Sequence, residues 1–261
     1  MKNDINKIIN KIGIKKNSTL YITGNIFNLG IQSNEINKFC EIFYDMIKNK
    51  IKNSGNILVP TATLNLIRTR KIFDKNTKSY LMGVFSEFIR QKKKSLRSSH
   101  PLWSFSGEGK NIKEIFKDIS LSAYGQDSVF ERLLKYKTTF ICFGRPNLSI
   151  AMLHYAEQMV GVPYRFTKEF EVRCRIKNKI IKKTCLLGVR YNSNKIETDE
   201  NQKIMNYLNN KNIFKKIKFR KSHIFYCDYK KLVDEMCKIL SKRPKIWLKK
   251  ENIKQNKFIN L

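Results

Sequence analysis

A histidine and a glutamate three positions apart, His154 and Glu157, are the residues of this 261-residue chain best spaced for proton transfer. On a helix that spacing puts both side chains on one face. A carboxylate beside an imidazole fixes its tautomer and favours the charged ring that forms when it takes a proton, as a general base must. The same spacing also serves ordinary ion pairs on helix surfaces, so spacing alone leaves both readings open. Other chemistries have less support. The six cysteines, Cys40, Cys142, Cys174, Cys185, Cys227 and Cys237, are scattered and include no C-x-x-C pair. The three histidines, His100, His154 and His223, lie far apart and lack metal-ligand spacing, so no metal is expected.

Regular elements must hold the pair in place. Residues 138–143 form an apolar, β-branched and aromatic run that predicts a buried strand. Gly144 and Pro146 break it, Ser149 stands where an N-cap belongs, and residues 150–160 predict a helix that Gly161 and Pro163 stop. Upstream, residues 2–16 carry Ile5, Ile8, Ile9 and Ile12 at helical spacing, and residues 19–23 predict a short strand. Gly24 after that strand permits close approach of a ligand. A helix over 34–51, a strand over 56–59 and a helix near 81–91 follow, with Thr77 and Ser79 as candidate caps. Ser128 is placed to cap a further helix before the 138–143 strand. This alternation implies a layered α/β fold. Beyond Arg165 the pattern changes to a hairpin over 168–175 and 180–189, a helix over 199–208, a strand over 218–226 and a closing helix over 229–240. The tail, 249–261, is polar and expected to fray.

The net charge of +32 points either to an anionic partner or to a coding bias toward Lys, Asn and Ile. The lysines run from end to end without an RNA-binding, zinc-finger or homeodomain signature, which favours bias over a specific nucleic-acid role. No stretch approaches the roughly 18 apolar residues needed to cross a bilayer. The first residues carry no apolar signal-peptide core, so a cytoplasmic protein is expected.

Several motifs in order carry a resemblance. The run GRPNLSIAMLHYAEQMVGVPYR, 144–165, resembles the strand-loop-helix around the catalytic histidine of the aminoglycoside 3-N-acetyltransferase family. PTAT at 60–63 is similar to the family's PTFT turn, and FDKNTKSYLMG at 73–83 to its FDPxxTPSxMG segment. LRSSHPLWSFSGEG, 96–109, looks like the RSxHPxxS loop beside bound acetyl-coenzyme A, and YGQDSVFERL, 124–133, like GxGSPxxRL. Two positions depart from the pattern. Gly24-Asn25-Ile26 stands where the family commonly has His-Ser-Ser or His-Ala-Ser, and Ala151 replaces a threonine shortly before the histidine.

The resemblance implies an α/β/α sandwich with a central mixed sheet and a C-terminal hairpin and helix portion capping the active-site face. It implies one domain over 1–248, with 1–165 binding coenzyme and carrying catalysis and 166–248 facing the acceptor. The implied activity is acetyl transfer from acetyl-coenzyme A to an amine in a ternary complex, with His154 as base and Glu157 orienting it. Gly24, Asn25, Ile26, Thr61, Ser98, His100, Ser104 and Phe105 are the implied coenzyme contacts. Asp74 and Asp127 are candidate acidic contacts for the acceptor, an aminoglycoside or other amino sugar. A monomer or homodimer acting on a small molecule, away from membranes, is expected. O-acetylation and a catalytically silent binding role remain alternatives.

Overall fold

The computed structural model describes residues 1–146, 150–191 and 200–248. In chain order it contains helix α1 (Lys2–Ile12), strand β1 (Thr19–Gly24), α2 (Ile36–Ile51), β2 (Asn56–Pro60), α3 (Leu66–Thr69), α4 (Val84–Arg90), β3 (Leu96–Arg97) and β4 (Phe105–Gly109). Then follow α5 (Ile112–Phe116), α6 (Val129–Arg132), β5 (Thr138–Phe143), α7 (Met152–Val160), β6 (Arg165–Ile176), β7 (Lys179–Arg190), α8 (Glu200–Asn210), β8 (Lys215–Phe219), β9 (Ser222–Asp228) and α9 (Tyr229–Lys242).

Seven strands form one mixed sheet in the order β3-β4-β2-β1-β5-β9-β8. The central three, β2, β1 and β5, are parallel, and antiparallel strands extend the sheet on both sides. Strand alternation divides the core in two. Leu20, Ile22, Ile141 and Phe143 join Phe39, Phe43 and Phe85 on one face, under α1, α2 and α4. Tyr21, Phe140 and Cys142 join Phe130, Tyr155 and Tyr229 on the other, under α6, α7 and α9. A sheet covered on both faces gives three layers, and its central strands read as continuous apolar runs for that reason.

The β6–β7 hairpin stands apart as a two-stranded sheet. It docks through Phe73 N–H to Arg173 O (2.8 Å) and Ala123 N–H to Leu186 O (2.9 Å), against the loops before α4 and α6. Of the remaining C-terminal elements, β9 pairs with β5 and β8 with β9, so these two strands complete the main sheet. The strand expected over 218–226 is in fact this hairpin. Arg220, in the left-handed region at φ 46°, turns it, with Lys221, where apolar alternation lapses.

Several boundaries differ from expectation. α1 ends at Ile12, where Gly13 adopts φ 78° and closes the helix. Thr77 and Ser79 do not cap α4, which starts after Gly83; Thr77 Oγ1 bonds Asp74 and the Ser79 amide bonds Glu87. Ser128 does cap α6, accepting from the Glu131 amide. α7 begins at Met152 with Ala151 preceding it, while the expected cap Ser149 lies outside the described residues. The expected start of α8 at Asp199 and the tail over 249–261 also lie outside them. The span expected as an RSxHPxxS loop includes two strands, β3 and β4. All six cysteines are free thiols, and five are buried. Among the described residues, no helix is long and apolar enough to cross a membrane.

Candidate active site

The parallel strands β1 and β5 run side by side, and the chain leaves β1 toward β2 on one flank before returning at β5 on the other. Ligands bind open α/β sheets at such a switch point, outside the carboxyl ends of the strands. Here those ends are Gly24 and Phe143. Gly24 adopts φ 102°, and a Cβ there would fall 2.4 Å from Phe143 O. The Asn25 amide then bonds Phe143 O at 3.0 Å, while its side chain accepts from the Phe27 amide.

A cavity of about 460 Å³ opens at this point, bounded by Gly24, Asn25 and Phe27, by Pro60 after β2, by Gly83 before α4, and by Trp103, Arg145 and Ala151. His154 stands near it. Its ring meets Tyr124 edge-on at 5.2 Å between centroids, and Tyr124 in turn tilts against the cavity's Trp103 at 5.2 Å.

α7 holds the catalytic candidates because Met152, Leu153, Tyr155 and Ala156 anchor its other faces in the core. His154 Nδ1 lies 2.9 Å from Glu157 Oε2. Glu157 is fully buried yet well partnered: Arg165 Nε approaches Oε2 at 2.6 Å and Tyr164 OH donates to Oε1 at 2.7 Å. Burial pushes this carboxyl up, but the His154, Arg165 and Tyr164 contacts outweigh it and hold the group below the usual carboxylate range. An ionised carboxylate only accepts hydrogen bonds, so Nδ1 carries a ring hydrogen, and in the neutral ring the lone pair falls on Nε2. Nε2 has no hydrogen-bond partner among the described residues, and the His154 side chain is 27% exposed. The arrangement can accept a proton from a bound molecule and spread the resulting charge onto Glu157.

Not all expected contacts come together here. Gly24 and Asn25 line the cavity, whereas Ile26 is buried in the core on the α1–α2 face. Thr61, Ser98, His100, Ser104 and Phe105 are buried, and none lines the cavity. Ser104 donates to Thr61 O at 2.8 Å and accepts from Arg97 Nε at 3.0 Å, tying the turn after β2 to the strand that follows. Ser98 Oγ accepts from the Phe105 amide at 2.9 Å, and the Phe105 ring joins Tyr21 and Phe130. His100 is a structural anchor: Nδ1 accepts from the Trp103 amide at 2.9 Å, and Nε2 donates to Leu121 O at 2.9 Å. Burial lowers its pKa to about 4, keeping the ring neutral. Asp74 closes its own turn with the Asn76 amide and Thr77. Asp127 is exposed, with φ 57°, 4.0 Å from Arg132. Neither aspartate lines the cavity. The expected list omits Tyr164 and Arg165, although both fall inside the VPYR run; the αL turn at Gly161 brings them back onto Glu157.

The fold is shared with solved structures that include aminoglycoside acetyltransferases. AAC-IIIb, in binary complex with CoASH, superposes with a TM-score of 0.80 at 16% identity, covering 93% of this chain and 97% of that one. The YokD protein from Bacillus subtilis gives 0.76 at 16% identity, with 93% and 94% covered. AAC-VIa bound to sisomicin gives 0.76 at 17% identity, with 93% and 97% covered. No curated protein matches the sequence. Residues 34–241 match the aminoglycoside 3-N-acetyltransferase family, and the chain belongs to that family.

Proposed function

We propose that this protein transfers the acetyl group of acetyl-coenzyme A to a primary amine of an aminoglycoside or related amino sugar, with His154 as general base. The observation that carries this reading is the buried, ionised Glu157, which fixes the His154 tautomer and leaves Nε2 to take a proton. The amine nitrogen attacks the thioester carbon as Nε2 accepts its proton. The tetrahedral intermediate then collapses, the carbon–sulfur bond breaks, and the proton passes to the departing thiolate. Glu157 stabilises the imidazolium between these steps. Holding both substrates beside His154 lowers the barrier further by removing the entropy of their encounter.

A cavity lined by both Gly24 and Trp103 supports a place for a slender pantetheine arm beside His154. The similar structures bound to CoASH and to sisomicin support the same pair of substrates here.

The test is thiol release from acetyl-coenzyme A against aminoglycosides, neutral amino sugars and nucleotide-linked amino sugars. Wild type should turn over one class, and His154→Ala should lose about 10² to 10⁴ in kcat while still binding coenzyme. Undiminished turnover in His154→Ala would remove the histidine from the mechanism.

A further inference from the structure

Arg145 is the one charged side chain among the described residues lining the 460 Å³ cavity. It is exposed, directly after Gly144, and makes no hydrogen bond or ion pair with any described residue. Other arginines of the chain are committed: Arg97 to Thr61 and Ser104, Arg165 to Glu157, Arg220 to Glu35. An unspent guanidinium at the end of a central strand, facing no carboxylate in its cavity, is matched to a phosphate, which it can hold bidentately.

Phe27 lines the same cavity. The turn from Asn25 to Gly30 buries Ile26 and Leu29 and thereby turns Phe27 outward, leaving it 49% exposed. An exposed aromatic ring and a free guanidinium in one cavity match the two parts of a nucleotide: a flat base to stack and phosphates to pair.

We infer that Arg145 binds the phosphates of the nucleotide half of acetyl-coenzyme A and that Phe27 stacks on its adenine. This rests on the coenzyme reading above and names the residues that would read the coenzyme's far end. Phe27 lies outside the motifs that carry the family resemblance, Arg145 falls within the 144–165 run but has no role assigned by it, and the Gly24-Asn25-Ile26 departure makes their role more necessary. Side-chain hydroxyls expected at that turn are absent, so affinity must come from elsewhere.

Direct titration separates the two halves of the ligand without needing an acceptor. Coenzyme A and pantetheine share the arm and the thiol, and only the first carries phosphates and adenine. Arg145→Ala should weaken coenzyme A about tenfold or more while leaving pantetheine unchanged, and Arg145→Lys should restore part of the loss. Phe27→Ala should weaken coenzyme A alone, by about fivefold or more. Both residues are exposed, so thermal melts should match wild type. Equal losses for both ligands, or no loss for coenzyme A, would overturn the inference. Wild type that binds neither ligand would instead overturn the functional reading on which it rests.

Discussion

Glu157 is buried away from bulk solvent, so its charge depends on the groups around it. Those groups are His154, Arg165 and Tyr164, and they serve the fold and the chemistry at once. Glu157→Gln keeps the shape and removes the charge that faces His154 and the largely buried Arg165. The expected cost is about 3 to 5 kcal/mol of stability, read by urea denaturation. A drop in kcat of about tenfold or more should accompany it as the His154 tautomer loses its fixing partner. Unchanged stability would show that the pair contributes nothing net. His100 predicts a different signature. Its folded value, about 4, lies below the ordinary 6.5, so the unfolded chain binds the proton more readily between those values. The stabilising term is therefore complete above the ordinary value and shrinks as pH falls toward the folded one. The loss is about 2 kcal/mol at about pH 5. His100→Gln should be less stable at neutral pH but should lose less on acidification. A variant that falls as steeply as wild type would assign the acid sensitivity to other groups.

Gly24 joins two elements at their closest approach. β1 and β5 pair there in parallel, Gly24 opposite Phe143, and any Cβ would meet the Phe143 carbonyl at 2.4 Å. Gly24→Ala should therefore push the strand ends apart at the mouth of the cavity. A loss of about 2 kcal/mol or more is expected from the clash and the positive φ together, with coenzyme A binding weakened in the same variant. Retained stability and binding would mean that the turn relaxes freely. The elements differ in how legible they were. β1, β2 and β5 are central and buried on both faces, so their apolar runs announce them in the sequence. β4 hides because it reads Phe-Ser-Gly-Glu-Gly: Gly107 and Gly109 lie against the backbone of β2 and the residue before it, and a side chain at either would collide with a carbonyl. α5, five residues long, is too short to show a period. The same contrast holds at the site. His154 and Glu157 are legible from helical spacing, because both lie on one element. Tyr164 and Arg165 reach Glu157 only after the chain reverses at Gly161, which spacing cannot show. His100 and Ser104 carry the right side chains for ligand contacts, but burial turns them onto the backbone and onto Arg97.

Across the whole molecule, 53 basic residues against 21 acidic ones create a field that every substrate must cross. The cavity does nothing to reverse it, since no carboxylate lines it among the described residues. A second groove, about 910 Å³, adds Lys75, Lys92, Lys93, Lys113 and Lys117 on the β3 side of the sheet. Such a field accelerates the approach of an anionic coenzyme and slows that of a polycation. The two substrates of the proposed reaction should then respond to salt with opposite signs. Raising NaCl from about 0.05 to about 0.5 M shortens the screening length from roughly 14 Å to roughly 4 Å. kcat/KM for acetyl-coenzyme A should fall across that range, while kcat/KM for a polycationic aminoglycoside should rise. An amino sugar carrying a phosphate or carboxylate should follow the coenzyme instead. Steady-state kinetics in a salt series, varying one substrate at a time, reads all three. Salt-independent rates for each would mean that the lysines are solvated locally and that their charge ends at the surface. Opposed slopes would mean that the composition of this chain selects its acceptor, favouring amines that bring negative charge of their own.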